Sequence, residues 1–387
     1  MTTAETRPRH PAAIVRSVFD QATPANRLLT RGLAALLIFI IVISLPAFLA
    51  WVPGADIEIP LRAAGRWSTG GQPYLASAFS LTSGPDLPYL YPPWLLPYLV
   101  PISNLPRTIV VVCWLALVGV AAVWTCRRFS VPWPAVPVVL LWPPFMEGLV
   151  TGNVQMIQLA AFAALFFVPG RSWELRPRPV TIAEGAKRAT LSRDMLDGIL
   201  AAGVGALKYT QLLPLAWIVR PRLRAGIIGG AVLVLVAVAV LPFTGIGLYR
   251  DWLDQLGRAA DPSWAPAGGP LAFLVGRPVA TAAAVVAVVG MFFVRGRDAG
   301  AGVGIALLVA APSIHGYGML FLLPTLLVLR RDLALFLAIL IARYNIYAWW
   351  ISIALACISL AASYRLPALR AVPERRQIEP GSGALQP

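Results

Sequence analysis

Charge is scarce in this chain: 13% of its 387 residues are Asp, Glu, Lys or Arg, while 58% are hydrophobic. A soluble domain is nearer a quarter charged, so the composition excludes an ordinary water-soluble fold. Lysine and histidine are scarcer still. Only two of each occur, because nearly every positive charge is written as arginine. Cysteine is almost missing: Cys113, Cys126 and Cys357 lie in apolar segments without metal-ligand spacing and read as small core residues. No Gly-rich phosphate loop opens a helix, no nucleophile–histidine–acid order occurs, and no metal-ligand cluster is present. The expectation is therefore acid/base chemistry with no metal and no cofactor. An internal repeat is also lacking, which counts against transporters built from inverted repeats.

What the chain has in abundance is apolar sequence in runs of about 17–25 residues, the length that crosses a bilayer core. These runs recur from residue 33 to the C-terminal region, and the alternation of a membrane barrel is absent. The reading is an all-α polytopic membrane protein of about ten to thirteen transmembrane helices, with every backbone donor satisfied inside helices. The formal charge of +15 would suggest nucleic acid in a soluble protein. Here the arginines punctuate apolar runs, as cytoplasmic loops do, so the expected partners are membrane lipids and not nucleic acid. The first apolar run, residues 33–51, is too long for a signal-peptide core and is expected to stay as an anchor. The division expected is a cytoplasmic tail over residues 1–30, a membrane domain over 31–365 and a disordered cytoplasmic tail over 366–387.

If the basic clusters are all cytoplasmic, the tips between them share the outer face. They are residues 51–91, 143–155, 205–211, 244–277, 311–318 and 343–345. Two excursions strain the rule. Residues 197–219 are enough for one crossing but not two, so they form either a re-entrant pair of half-helices with Lys208 at its tip or one crossing that breaks the charge pattern. Residues 91–126, with Pro92, Pro93, Pro97 and Pro101, suggest a short broken helix before a long one. Residues 169–193 read as a basic linker. In the outer loops, Ile57, Leu61, Ala64 and Trp67 recur at spacings of three and four, as do Leu248, Trp252, Leu253 and Leu256. Both patterns predict amphipathic helices lying along the membrane surface.

The rare residues mark where chemistry is to be sought. Lys208 stands in an apolar run, and a charge near a membrane centre costs about 2.5–3.5 kcal/mol on insertion scales. It is either a snorkelling structural residue or a point charge suited to phosphate. His315 lies in Pro312-Ser313-Ile314-His315-Gly316-Tyr317-Gly318, a turn that lets backbone and imidazole approach a ligand closely. Asp56 follows the first crossing and is either an N-cap carboxylate or a general base at the water–lipid boundary. Asn153 and Gln155, after Gly152, are helix-start residues or uncharged partners for sugar hydroxyls. Asp56 belongs to a set of seven outer acids with Glu58, Asp86, Glu147, Asp251, Asp254 and Asp261.

Together these pieces resemble the polytopic GT-C glycosyltransferases, and most closely glycosyltransferase family 87, the polyprenyl-phosphate-mannose-dependent mannosyltransferases. The resemblance rests on Asp56, Gly70-Gly71-Gln72-Pro73-Tyr74, Tyr91-Pro92-Pro93, Pro143-Pro144 leading into Gly152-Asn153-Val154-Gln155, Lys208, and the turn from Pro312 to Tyr317. The chain departs from the family where Gly-Gln-x-Asn is common and where proline closely follows the lysine. The resemblance implies a GT-C-like bundle and inverting transfer of a hexose, mannose, from a polyprenyl-phosphate sugar to a glycolipid or lipid-linked glycan. It implies Asp56 and His315 as catalytic residues, and Lys208, Tyr91, Asn153, Gln155 and Tyr317 as substrate-binding residues. It places the site on the extracytoplasmic side of a bacterial plasma membrane. A transporter or flippase of an amphipathic lipid-linked substrate is the alternative, and it would explain an intramembrane lysine equally well.

Overall fold

A computed structural model of the chain describes residues 24–80, 87–167, 184–208, 212–259, 261, 271–294, 298–311, 314–366 and 369. The first half contains α1 (Pro24–Leu49), α2 (Ala55–Ser68), α3 (Leu96–Ser103), α4 (Arg107–Arg128), α5 (Val136–Leu140), α6 (Pro143–Thr151) and α7 (Gln155–Phe166). The second half contains α8 (Glu184–Leu207), α9 (Leu213–Val219), α10 (Leu223–Ala259), α11 (Leu271–Val275), α12 (Arg277–Met291), α13 (Ala299–Val309), α14 (Leu323–Val328), α15 (Arg331–Ala342) and α16 (Ile346–Ser363). Short 3-10 turns link several of them, notably Pro93–Leu95 and Gly316–Leu322. The protein is an all-α multi-pass membrane protein.

Among the described residues, helices of full span length are fewer than the ten to thirteen expected. Among the described residues α1, α4, α10 and α16 have the length and composition to cross, and a fifth span exists if α5 and α6 count as one. That pair bends by 74° at its break, because Pro143 and Pro144 open α6 and neither offers a backbone N–H to continue α5. The other apolar stretches, at α7, α12, α13 and Gly316–Val328, are shorter helices. Hydropathy read each run as one crossing, whereas several of them form helices shorter than a crossing.

Boundaries also shift. α1 starts at Pro24, inside the stretch assigned to the N-terminal tail, and α8 starts at Glu184, inside the presumed linker. The tails before residue 24 and after residue 369 lie outside the described residues, as does most of the linker. The broken helix before a long one is present as Pro93–Leu95 and α3, followed by α4.

The ambiguous segment 197–219 comprises the end of α8 and the whole of α9, which doubles back along it. Arg222, just past α9, donates from Nη1 to Asp197 Oδ2 at 2.8 Å and lies 3.5 Å from Asp194 Oδ1. The chain therefore leaves and returns at one level, with Lys208 at the far end. This hairpin packs on α10 through small residues. A Cβ on Gly198 would fall 2.5 Å from the Ala225 carbonyl oxygen, and one on Gly229 would fall 2.8 Å from that of Gly198, the close backbone approach typical of membrane helices. Gly198→Ala should cost about 1–3 kcal/mol by overpacking, seen as a lower Tm in detergent. An unchanged Tm would mean that α8 and α10 are free to separate.

Both amphipathic helices form. In α2, Ile57, Leu61 and Ala64 are buried and Arg62 is exposed. Glu58 anchors its start by accepting from Arg107 Nε at 2.6 Å, at the foot of α4. The second is the end of α10, set off by a break at Gly245 (φ 67°, ψ 159°). Its buried face carries Trp252, Gln255 and Ala259, while Leu253, expected to face inward, is 59% exposed.

Candidate functional site

The six predicted tips meet at one end of the bundle. Gly54 donates its backbone N–H to Val150 O at 2.8 Å, joining the first tip to the second. Trp252 Nε1 donates to Leu90 O at 3.1 Å, bringing in the fourth. Trp94, just past the first tip, donates from Nε1 to Ala206 O at 2.9 Å and so holds the third. Tyr317 N donates to Glu147 Oε2 at 2.7 Å, and the Tyr344 hydroxyl donates to Glu147 Oε1. These bonds draw the fifth and sixth tips onto the second.

Asp56 is built into this junction from both sides. α2 begins at Gly54, whose left-handed φ of 75° turns the chain out of α1. A Cβ there would lie 2.7 Å from Val111 Cγ1, so the site requires glycine for shape and for conformation. Asp56 is the second residue of α2, and Gly54 holds the N-cap position. The capping reading of Asp56 therefore gives way to a tertiary one: Asn153 Nδ2 donates to Asp56 Oδ2 at 2.8 Å. Gly152, with φ 70°, ends α6 in the left-handed conformation that swings Asn153 across to Asp56. Burial pushes the Asp56 carboxyl above its usual 3.8, opposed by hydrogen bonds from Thr151 and Asn153 and by the charge of Lys208.

Lys208 and His315 belong to the same electrostatic neighbourhood. Burial lowers the Lys208 pKa to about 8, and Asp56 opposes that fall. Burial, helped by Lys208, lowers that of His315 to about 3. The imidazole is therefore neutral at physiological pH, able to donate a hydrogen bond but carrying no charge. Its ring stacks on Tyr317 with centroids 5.1 Å apart and planes 18° apart. Tyr317 in turn lies within electrostatic reach of Asp56, Glu147 and Tyr91. Burial, with Asp56 beside it, also raises the Tyr91 hydroxyl pKa.

The two amides divide their work differently from the expectation that both face substrate. Asn153 is engaged on each side, since its Oδ1 accepts from Gln155 N at 2.9 Å while its Nδ2 serves Asp56. It caps α7 and positions the carboxylate at once. Gln155 is buried, and its Oε1 has no hydrogen-bond partner, a costly state that a ligand hydroxyl would relieve. Sequence reasoning missed Thr151, Tyr344 and the importance of Glu147. The signal for Glu147 was available: it is a carboxylate inside an apolar run, as anomalous as Lys208.

An apolar groove of about 360 Å³ opens beside Asp56. α2 lines one wall with Ile57 and Pro60, α4 the other with Val110 and Trp114, and Tyr91 and Leu207 stand with Asp56 among its lining residues. Leu105, Ile109 and Leu117, also lining it, are at least half exposed, so the groove opens onto an exposed apolar face beside α4. A titratable cluster at the end of an apolar channel is the usual form of a small-molecule site.

The fold defines a multi-pass membrane protein with a cluster of titratable side chains beside an apolar groove. The chain belongs to glycosyltransferase family 87, whose sequence model matches residues 89–294, just over half of its length. It is accordingly a glycosyltransferase, which sets aside the transporter alternative. The match includes Tyr91, Asn153, Gln155 and Lys208, while Asp56, His315 and Tyr317 lie outside it. No curated protein and no solved structure matches the chain.

Proposed function

We propose that this glycosyltransferase moves a hexose, mannose, from a polyprenyl-phosphate sugar to a glycolipid or lipid-linked glycan, with inversion, on the extracytoplasmic face of a bacterial plasma membrane. The observation that carries the reading is an apolar groove lined by Asp56, whose carboxyl is coupled electrostatically to Lys208, as Lys208 is to His315. A prenyl chain suits the groove, and the sugar phosphate would then stand among the titratable groups.

In the reaction an acceptor hydroxyl attacks the anomeric carbon and gives its proton to the Asp56 carboxylate. The new C–O bond forms as the bond from anomeric carbon to phosphate oxygen breaks, and the electron pair leaves with the polyprenyl phosphate. Burial makes Asp56 a stronger base than a solvated aspartate. Lys208 holds the departing phosphate as a point charge. His315, neutral, serves as an N–H donor, and the unpartnered Gln155 Oε1 accepts from a sugar hydroxyl.

The test is mass analysis of membrane glycolipids from cells lacking the gene, paired with purified protein given polyprenyl-phosphate-mannose and that extract. One species should be shorter by a single hexose in the deletion, and the purified protein should restore it. An unchanged glycolipid profile, or restoration only with a nucleotide sugar, overturns the donor assignment.

A further inference from the structure

Glu147 has no part in the reaction just described, yet it is the one acid of the second tip and is held on both sides. It is 3% exposed, and its two oxygens receive donors from two distant segments. Oε2 accepts from the Tyr317 backbone N–H at 2.7 Å, at the start of the Gly316–Leu322 turn, and Oε1 accepts from the Tyr344 hydroxyl. The fit leaves no slack: a Cβ on Gly316 would lie 2.1 Å from Glu147 Oε2. Tyr344 presents its ring from a strained backbone, with φ 51° in a non-glycine residue. Its ring meets Phe48 and Trp51 edge-on at centroid distances of 5.9 Å, which ties the corner before α16 to the end of α1.

We propose that Glu147 is a positioning residue that acts through His315. By fixing the backbone of Gly316 and Tyr317 it sets the ring of Tyr317 and, stacked on it, the ring of His315. Two donors arrive from opposite directions, and each carboxyl oxygen meets one of them. A carboxamide keeps its oxygen for the Tyr317 N–H and can turn its NH2 to the Tyr344 hydroxyl, which then accepts, whereas alanine loses both contacts. The same helix also provides Val150 O to Gly54 and leads into Asn153, so α6 registers the base on one side and the imidazole on the other. The kinetic part of this inference rests on the transfer reaction proposed above; the placement of His315 does not.

Two readouts keep these apart. In a His10→Asn background His315 is the sole histidine, so carbethoxylation by diethyl pyrocarbonate reports its accessibility without any sugar. Glu147→Ala should raise that modification rate about threefold or more, and Tyr344→Phe should raise it less, since the Tyr317 contact is kept. In the transfer assay Glu147→Ala should lower kcat about tenfold or more, with donor KM within about threefold, the signature of lost orientation. Placed on His315→Ala, Glu147→Ala should cost less than about twofold further, because its route of action is already gone. An unaltered His315 modification rate in both Glu147→Ala and Tyr344→Phe overturns the proposal whatever the activity. So does a Glu147→Ala loss that is undiminished in the His315→Ala background. Should Glu147→Ala fail to fold, Tyr344→Phe alone decides by the same criteria. If the wild type transfers no sugar from a polyprenyl-phosphate donor while the modification rates rise as expected, the donor assignment falls and the role of Glu147 stands.

Discussion

Asp56→Asn will abolish sugar transfer in protein that folds and binds donor as the wild type does. Losing a general base typically removes 10²–10⁴ from the rate, about 3–5 kcal/mol of transition-state stabilisation, and the loss should fall on kcat with little change in donor KM. The fold should survive because an asparagine at 56 can still accept from Asn153, the contact that registers α2 on the loop before α7. Stability has its own sign. The folded pKa of Asp56 is raised above 3.8, so the folded state binds more protons than the unfolded one as pH climbs from there. Stability is full below 3.8 and lost as pH rises through the folded value. Asp56→Asn removes that dependence and should leave Tm at neutral pH equal or higher. Wild-type turnover by purified Asp56→Asn would eliminate the base assignment. A collapsed Tm would mean that the carboxylate is structural.

The second large effect concerns Lys208. Its folded pKa of about 8 means that the cation needed for phosphate is lost as pH rises through that value, so kcat/KM should fall on the alkaline side with a midpoint near it. The groups facing it electrostatically are Asp56, which favours its charge, and His315, already neutral across this range. Lys208→Arg keeps a charge throughout and should flatten that limb while retaining part of the activity. Lys208→Ala should raise donor KM more than it lowers kcat at saturating donor. Unchanged donor affinity in Lys208→Ala would remove the phosphate role. An alkaline limb that persists in Lys208→Arg would assign it to another group.

How much of this was legible in the sequence depends on the kind of signal. Lys208, His315 and Asp56 stood out because charge and imidazole are expensive in apolar sequence, and the charge pattern alone placed their tips together. The two surface helices were legible from spacing, and only Leu253 was assigned to the wrong face. Among the described residues fewer helices reach full span length than the hydropathy runs suggested, since several apolar stretches form helices shorter than a crossing. The ion pair of Arg222 with Asp197 could not be foreseen, although it decides the hairpin of α8 and α9. It joins residues on separate helices whose mutual level no local pattern encodes. Glu147 was visible but unranked, since its partners are a backbone amide and a tyrosine from segments about 170 and 197 residues away, and such pairings leave no local trace.

The side entrance of the groove, between the Leu105 turn and α4, has a kinetic meaning. A substrate carried on a lipid tail would slide into it without leaving the bilayer, so its search is two-dimensional and its tail is already out of water on arrival. For such a catalyst the quantity that saturates is mole fraction in the membrane, not bulk molarity, and diluting vesicles with buffer would leave turnover unchanged where diluting them with inert phospholipid would slow it.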